Sequence, residues 1–399
     1  MLLSIAYMLM VGMAAGWACR RLRLPGLAGM IATGILLGPY VLDLIDGSIL
    51  GISAELRRIA LIIILMRAGL SLDVDDLKRV GRPAILMCFV PACFEILGML
   101  VLAPRLLGIT VLEAAVMGAV VAAVSPAVIV PKMIMLMEEG YGTDNSIPQL
   151  ILAGASVDDV FVIVLFSAFT GLAQGGSVSP VSFVQIPWSI LAGILAGCGA
   201  GALLALYFRW VHIRDTAKVI ILLCISFVLV SLEDALKGTF TFSSLISVMC
   251  MGITLQKQRE TVAGRLSLKF NKLWVGAEIL LFVLVGATVD IHYAVSAGAA
   301  SILLILGALV FRMAGVMCCL LGTRLSLKER MFCMAAYMPK ATVQAAIGGV
   351  PLSMGLACGN IVLTVAVLAI LITAPLGAFL IDLTYRRWLT CQKHQPEQG

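Results

Sequence analysis

Long apolar runs separated by short polar stretches fill the chain from end to end. A helix needs about 20 mostly apolar residues to cross the hydrocarbon core of a bilayer. Windows of that size predict about thirteen spans, near 2–19, 26–43, 48–66, 83–104, 110–137, 147–171, 181–208, 217–236, 239–255, 273–291, 293–321, 329–353 and 357–385. The fifth and twelfth read as interrupted. The fold class that follows is an all-α polytopic membrane protein.

The basic residues test the count. Alternate loops hold Arg20, Arg21 and Arg23, then Lys78, Arg79 and Arg82, then Lys132, then Arg209, Arg214 and Lys218. The series continues with Lys257, Arg259, Arg265, Lys269 and Lys272, then Arg324, Lys328 and Arg330, and ends at Arg386, Arg387 and Lys393. The opposite loops hold Arg105 and Lys237, and Arg57 and Arg58 sit near a helix start. Positive residues gather on the cytoplasmic side. The N-terminus is therefore expected outside and the C-terminus inside, in a cell (inner) membrane.

Composition agrees. Of 399 residues, 61% are hydrophobic and 13% charged, and the mean hydropathy is +1.08. A soluble chain carries about a quarter charged residues. The net charge of +6 follows from the inside loops and implies no nucleic-acid partner. The 11 cysteines lie scattered in apolar stretches, with no C-x-x-C pair, and read as small buried hydrophobes. His212, His292 and His394 fall in predicted loops or the tail, which argues against an intramembrane histidine relay. The first apolar run is followed, not preceded, by its basic cluster, so it reads as a retained helix rather than a signal peptide. No loop is long enough to fold alone, and residues 1–399 are expected to form a single membrane domain.

The interruptions carry more information. Val124-Ser125-Pro126-Ala127-Val128-Ile129-Val130-Pro131 lies inside the fifth span, and two prolines five residues apart oppose a continuous helix. The twelfth span carries Tyr337-Met338-Pro339-Lys340-Ala341-Thr342-Val343-Gln344, then Gly348-Gly349-Val350-Pro351. Freed backbone groups cannot face lipid, and must meet protein, water or an ion. Broken helices at corresponding positions of two halves point to a transporter's binding site. The breaks lie seven spans apart, an odd number, so the two segments run in opposite directions. Two inverted six-helix repeats, approximately 1–171 and 217–385, would flank a linker helix at approximately 181–208. Within that linker, Gly193, Gly197 and Gly201 form a ridge for close helix contact, inside the subunit or in a dimer.

Charges within spans are expensive and default to functional hypotheses. Gly154-Ala155-Ser156-Val157-Asp158-Asp159-Val160-Phe161 places two adjacent carboxylates near mid-span. Both cannot stand ionised and unpaired at that depth, and their titration is coupled. An alkali cation, Na⁺ or Li⁺, takes oxygen ligands and can replace a proton there. If one carboxylate holds either ion but not both, competition alone produces exchange, with no metal cofactor, covalent step or enzyme chemistry. Glu95 in the fourth span and Arg312 in the eleventh are expected to pair, because a lone buried guanidinium is very costly. The pair serves either the ion path or helix packing alone. Lys340 either neutralises the negative ends of half-helices or stabilises without touching the ion. Arg67 and Asp73 are expected at the inner interface, and Glu278 enters the tenth span early.

The strings S-P-A-V-I-V-P at 125–131, G-A-S-V-D-D-V at 154–160 and P-K-A-T-V-Q-A-A-I-G at 339–348 together resemble the monovalent cation:proton antiporter superfamily, most nearly its NHA-type sodium/proton antiporters. The resemblance spans nearly the whole chain. It implies a homodimer with a dimer domain and a mobile six-helix core, and an elevator-like movement of one against the other. The two interrupted helices would cross near the aspartates. Asp159 would be the principal cation and proton ligand and Asp158 its assistant, with Ser125 and Thr342 as supporting oxygen donors. Some relatives carry lysine where this chain has Arg312, and arginine cannot release a transported proton. The neighbouring reading is K⁺/H⁺ exchange at the same site. A sodium-coupled organic-anion symporter would want a roomy polar cavity, and a channel or sensor would want a filter or an added domain.

Overall fold

The computed structural model describes residues 1–22, 24–71, 81–175, 180–211, 213–236 and 242–391. Arg23, Asp73, Lys78, Arg79, Lys237, Lys393, His212 and His394 lie outside the described residues. Within them the regular elements are eighteen helices, with an isolated bridge between Tyr141 and Cys391. In chain order they are α1 (Leu2–Arg21), α2 (Gly26–Leu37), α3 (Gly47–Gly51), α4 (Ser53–Ser71), α5 (Arg82–Met87), α6 (Val90–Leu107), α7 (Val111–Val121), α8 (Pro126–Glu138) and α9 (Ile147–Gly175). They continue as α10 (Pro180–Trp210), α11 (Asp215–Leu236), α12 (Ser244–Gln258), α13 (Glu260–Ala287), α14 (Ile291–Leu320), α15 (Leu327–Ala336), α16 (Thr342–Ile347), α17 (Val350–Ser353) and α18 (Gly359–Trp388).

Among the described residues, 8 helical stretches are long and apolar enough to cross a membrane. Each predicted window contains helix. Exposed leucines, methionines and valines on the outer helices, such as Leu2, Met10, Leu195, Val228 and Val310, suit a lipid solvent. The chain is a multi-pass membrane protein.

Three windows need correction. α2 stops at Leu37, and residues 38–46 turn instead of completing the span. Pro131 does not break the fifth segment; it sits inside α8, and the unwound stretch is Ala122–Ser125. The tenth predicted span lies in α13, which begins at Glu260, so Arg265, Lys269 and Lys272 are helical rather than in a loop. A hydropathy window misses this start because it is amphipathic. Val262, Leu266 and Phe270 are buried at four-residue spacing, while the basic side chains take the other face.

The helices form two groups by contact. α1, α2, α4, α10, α11, α12 and α13 pack mainly among themselves, as do α5 to α9 with α14 to α18. Gly193, Gly197 and Gly201 press α10 onto α12; a Cβ at those positions would lie 2.7, 2.3 and 2.8 Å from the carbonyl oxygens of Ser243, Ser247 and Met251. The glycine ridge is thus used inside the subunit. In the second group the most extensive contact joins α6 to α14, and it brings Glu95 to Arg312. The groups meet where α9 and α16 face α4, α12 and α13.

Candidate functional site

Both broken segments are built alike. α7 opens with a capping box in which Thr110 and Glu113 satisfy each other's backbone N–H, and α15 opens with the same device from Ser326 and Glu329. Each half-helix then runs about three turns and stops. After a gap, α8 restarts at Pro126, tolerated there because a first-turn residue needs no N–H donor, and α16 restarts at Thr342. The two gaps meet, with Ser125 N donating to Pro339 O at 2.8 Å.

The carbonyls freed by the gaps find side-chain donors. Gln344 Nε2 donates to Val121 O at 3.1 Å and Ala123 O at 2.8 Å. Arg312 Nη1 donates to Ala122 O, and Arg312 Nε to Tyr337 O at 2.7 Å. One guanidinium therefore meets the C-terminal ends of both α7 and α15, where the helix dipole favours positive charge. Lys340 N is held by Thr373 Oγ1 at 2.9 Å.

The same guanidinium organises the acids. Arg312 Nη1 donates to Glu95 Oε2 at 2.8 Å and Nη2 to Asp158 Oδ2 at 2.9 Å. Lys340 Nζ donates to Glu95 Oε2 at 2.5 Å and reaches Ala122 O at 3.4 Å. Val124 N, in the first gap, donates to Asp158 Oδ2 at 2.8 Å. None of these four charged side chains is more than 1% exposed. The expected Glu95–Arg312 pair is present, and it is part of a larger set that takes in Asp158 and Lys340.

Asp159 stands apart from that set. No ion pair to it is found among the described residues, and its Oδ1 is buried without a hydrogen-bond partner. Ser125 Oγ, Thr342 Oγ1 and Asp158 Oδ1 are likewise buried and unpartnered. Buried polar atoms are nearly always satisfied, so these orphaned oxygens, with Glu95 Oε1, Gln149 Oε1, Tyr337 Oη and Gln344 Oε1 also unpartnered, call for an explanation. Hard cations take oxygen ligands of this kind. Asp159 and Thr342 line a cavity of about 680 Å³ between the two helix groups. Its walls are α4 and α13 on one side and α8 and α9 on the other, and it extends to exposed Ser71, Leu268 and Asn271.

Two further charged residues line this cavity. Arg67 faces it from α4, and Glu278 faces it from α13, within the electrostatic reach of Arg20 and Arg67. Sequence reasoning also passed over Gln344 and Thr373. Gln344 had a usable signal, a primary amide inside the apolar run that follows Pro339. Thr373 had none, since threonines bonded to their own helix are common in apolar helices.

A membrane bundle whose broken helices meet around unpaired oxygens belongs to the class of secondary ion carriers. The comparisons narrow this. Residues 5–384 match the family model described as "Sodium/hydrogen exchanger, transmembrane". The sodium/hydrogen exchanger 9B2 of Xenopus tropicalis is 34% identical over 83% of this chain and 63% of its own length. The mouse (Mus musculus) 9B2 protein is 33% identical over 94% of this chain and 70% of its own length. The structure of the sodium proton antiporter MjNhaP1 from Methanocaldococcus jannaschii at pH 8 superposes with a TM-score of 0.85, at 19% identity, covering 97% of this chain and 99% of that one. The chain belongs to the sodium/hydrogen exchanger family, within the monovalent cation:proton antiporters, and has the fold of MjNhaP1.

Proposed function

We propose that this chain exchanges Na⁺ or Li⁺ for H⁺ by alternating access, with Asp159 as the competing site and Asp158, Ser125 and Thr342 supplying further oxygens. The carrying observation is the set of four buried oxygens without partners, one of them on a carboxylate that lines a cavity. Charge counting supports it. Glu95 and Asp158 balance Arg312 and Lys340, so an ionised Asp159 is the one uncompensated charge of the site. A single proton or a single monovalent cation cancels it, and the loaded site is neutral either way. That favours one-for-one exchange. Arg312, always protonated, serves as a frame and not as a proton carrier.

The relatives support the choice of ions, being named sodium/hydrogen exchangers. The cavity reaches the end of the molecule that carries Lys132, Arg265, Lys269 and Lys272, which the positive-inside rule places in the cytoplasm. This conformation is then open inward, and sliding the second helix group along α4, α12 and α13 would expose Asp159 to the other side. In proteoliposomes with an imposed pH gradient, Na⁺ and Li⁺ should collapse the gradient, and Asp159→Asn should abolish the response. Full activity of that variant rejects the site, and a response to K⁺ alone selects K⁺/H⁺ exchange.

A further inference from the structure

At the far end of α16 lies a second buried cation that the exchange site does not use. Arg57, near the start of α4, is 4% exposed. Its Nε donates to Ser53 O at 3.2 Å, its Nη1 has no hydrogen-bond partner, and it forms no ion pair among the described residues. The guanidinium lies on the backbone of Gly349, where a Cβ would come within 2.1 Å of Nη1. Gly349 follows directly on Gly348, which caps the C-terminus of α16.

A guanidinium buried without an anion is unfavourable, and an apolar side chain of similar volume would pack there at less cost. Its place explains what it can do. α16 turns its first residues, Thr342 and Val343, to the ion cavity, and Arg57 lies two residues past its last, against Gly349, which also starts α17. The carbonyl end of a broken helix attracts cations. Left empty, that end would offer Na⁺ a resting point between the site and the other membrane face. A fixed guanidinium occupies it instead. Helix rise puts it roughly 10 Å beyond Thr342.

We propose that Arg57 keeps exchange coupled: held between α4 and Gly349 at the junction of α16 and α17, its charge seals the closed side of the site against cations, so that Asp159 communicates with one side at a time. This rests on Asp159 being the exchanging group. Gly349 has the matching task of leaving room for the guanidinium at the contact between the two helix groups.

The test is potential-driven ²²Na⁺ uptake into proteoliposomes holding the full chain, with a valinomycin-set K⁺ potential and no pH gradient. Wild type should take up no more ²²Na⁺ with the potential than without it, since one-for-one exchange moves no net charge. Removing one charge about 10 Å from the path should raise uncoupled uptake on the order of tenfold in Arg57→Gln and Arg57→Met, while Arg57→Lys stays tight. Gly349→Ala, which displaces the guanidinium without deleting it, should leak as well. Folded Arg57→Gln or Arg57→Met protein that remains tight overturns the proposal. If neither folds, a tight Gly349→Ala or a leaking Arg57→Lys overturns it. Failure of the exchange reading is seen separately, as wild-type vesicles that answer a pH gradient with no alkali cation.

Discussion

Asp158 and Asp159 are adjacent in sequence, yet Asp158 is fixed by Arg312 at 2.9 Å and Asp159 faces the cavity with Oδ1 unpartnered. Successive residues on a helix point about 100° apart. That angle is enough to send one carboxylate into the charged frame and the other toward the cavity.

The two acids should therefore fail differently. Asp159→Asn should abolish cation-dependent proton movement and leave the melting temperature in detergent close to wild type. Asp158→Asn removes a partner from a buried guanidinium and should cost about 3 kcal/mol or more, seen as a marked fall in melting temperature. Equal destabilisation by both would contradict this division.

Glu95 and Arg312 should be energetically coupled. Each single change, Glu95→Gln or Arg312→Gln, leaves a buried charge without its partner, at about 3–5 kcal/mol. The double variant should be milder than the sum of the two. Strict additivity in thermal unfolding would mean that the contact carries no energy.

Exchange should be indifferent to voltage. If Asp159 alone changes occupant, the carrier moves no net charge in a full cycle. Clamping the potential at different values across proteoliposomes should leave the Na⁺-driven proton flux unchanged. A flux that follows the potential would require a second titrating group, and Lys340 would be the one to examine.

Acid should weaken sodium. With Asp159 as the proposed shared site for protons and Na⁺, the Na⁺ concentration at half-maximal rate should climb as pH falls, by about tenfold per pH unit once the site is mostly protonated. The maximal rate at saturating Na⁺ should hold. A pH effect confined to the maximal rate would argue for a gate elsewhere.

Gln344→Leu should unsettle the first gap. It strips Val121 O and Ala123 O of their donor, at about 1–3 kcal/mol for each buried group left unmet. Thermal unfolding measures the loss, and Gln344→Met, which fills the space without a donor, should not restore it.

Much of this arrangement could be read from the chain. Pro126 and Pro339 marked the breaks, the acidic pair marked the candidate site, and the cost of a lone arginine foretold that Glu95 and Arg312 meet although 217 positions apart. The division of labour between Asp158 and Asp159 could not be read, because it depends on which carboxylate Arg312 can reach after folding. Nor could the places of Arg67 and Glu278, since a cavity between two helix groups is a property of their docking and not of either sequence segment. The amphipathic start of α13 escaped a hydropathy average that treats Lys269 and Phe270 as cancelling.

Arg312 also constrains how the molecule can move. Its guanidinium is tied at once to Ala122 O and Tyr337 O, the two points at which flexing would be easiest. Neither broken helix is free to bend by itself while that staple holds. In the proposed exchange cycle both breaks would therefore travel together, as a ship's hull carries its joints, and the pliable parts of the machine are to be sought in the connections between the helix groups.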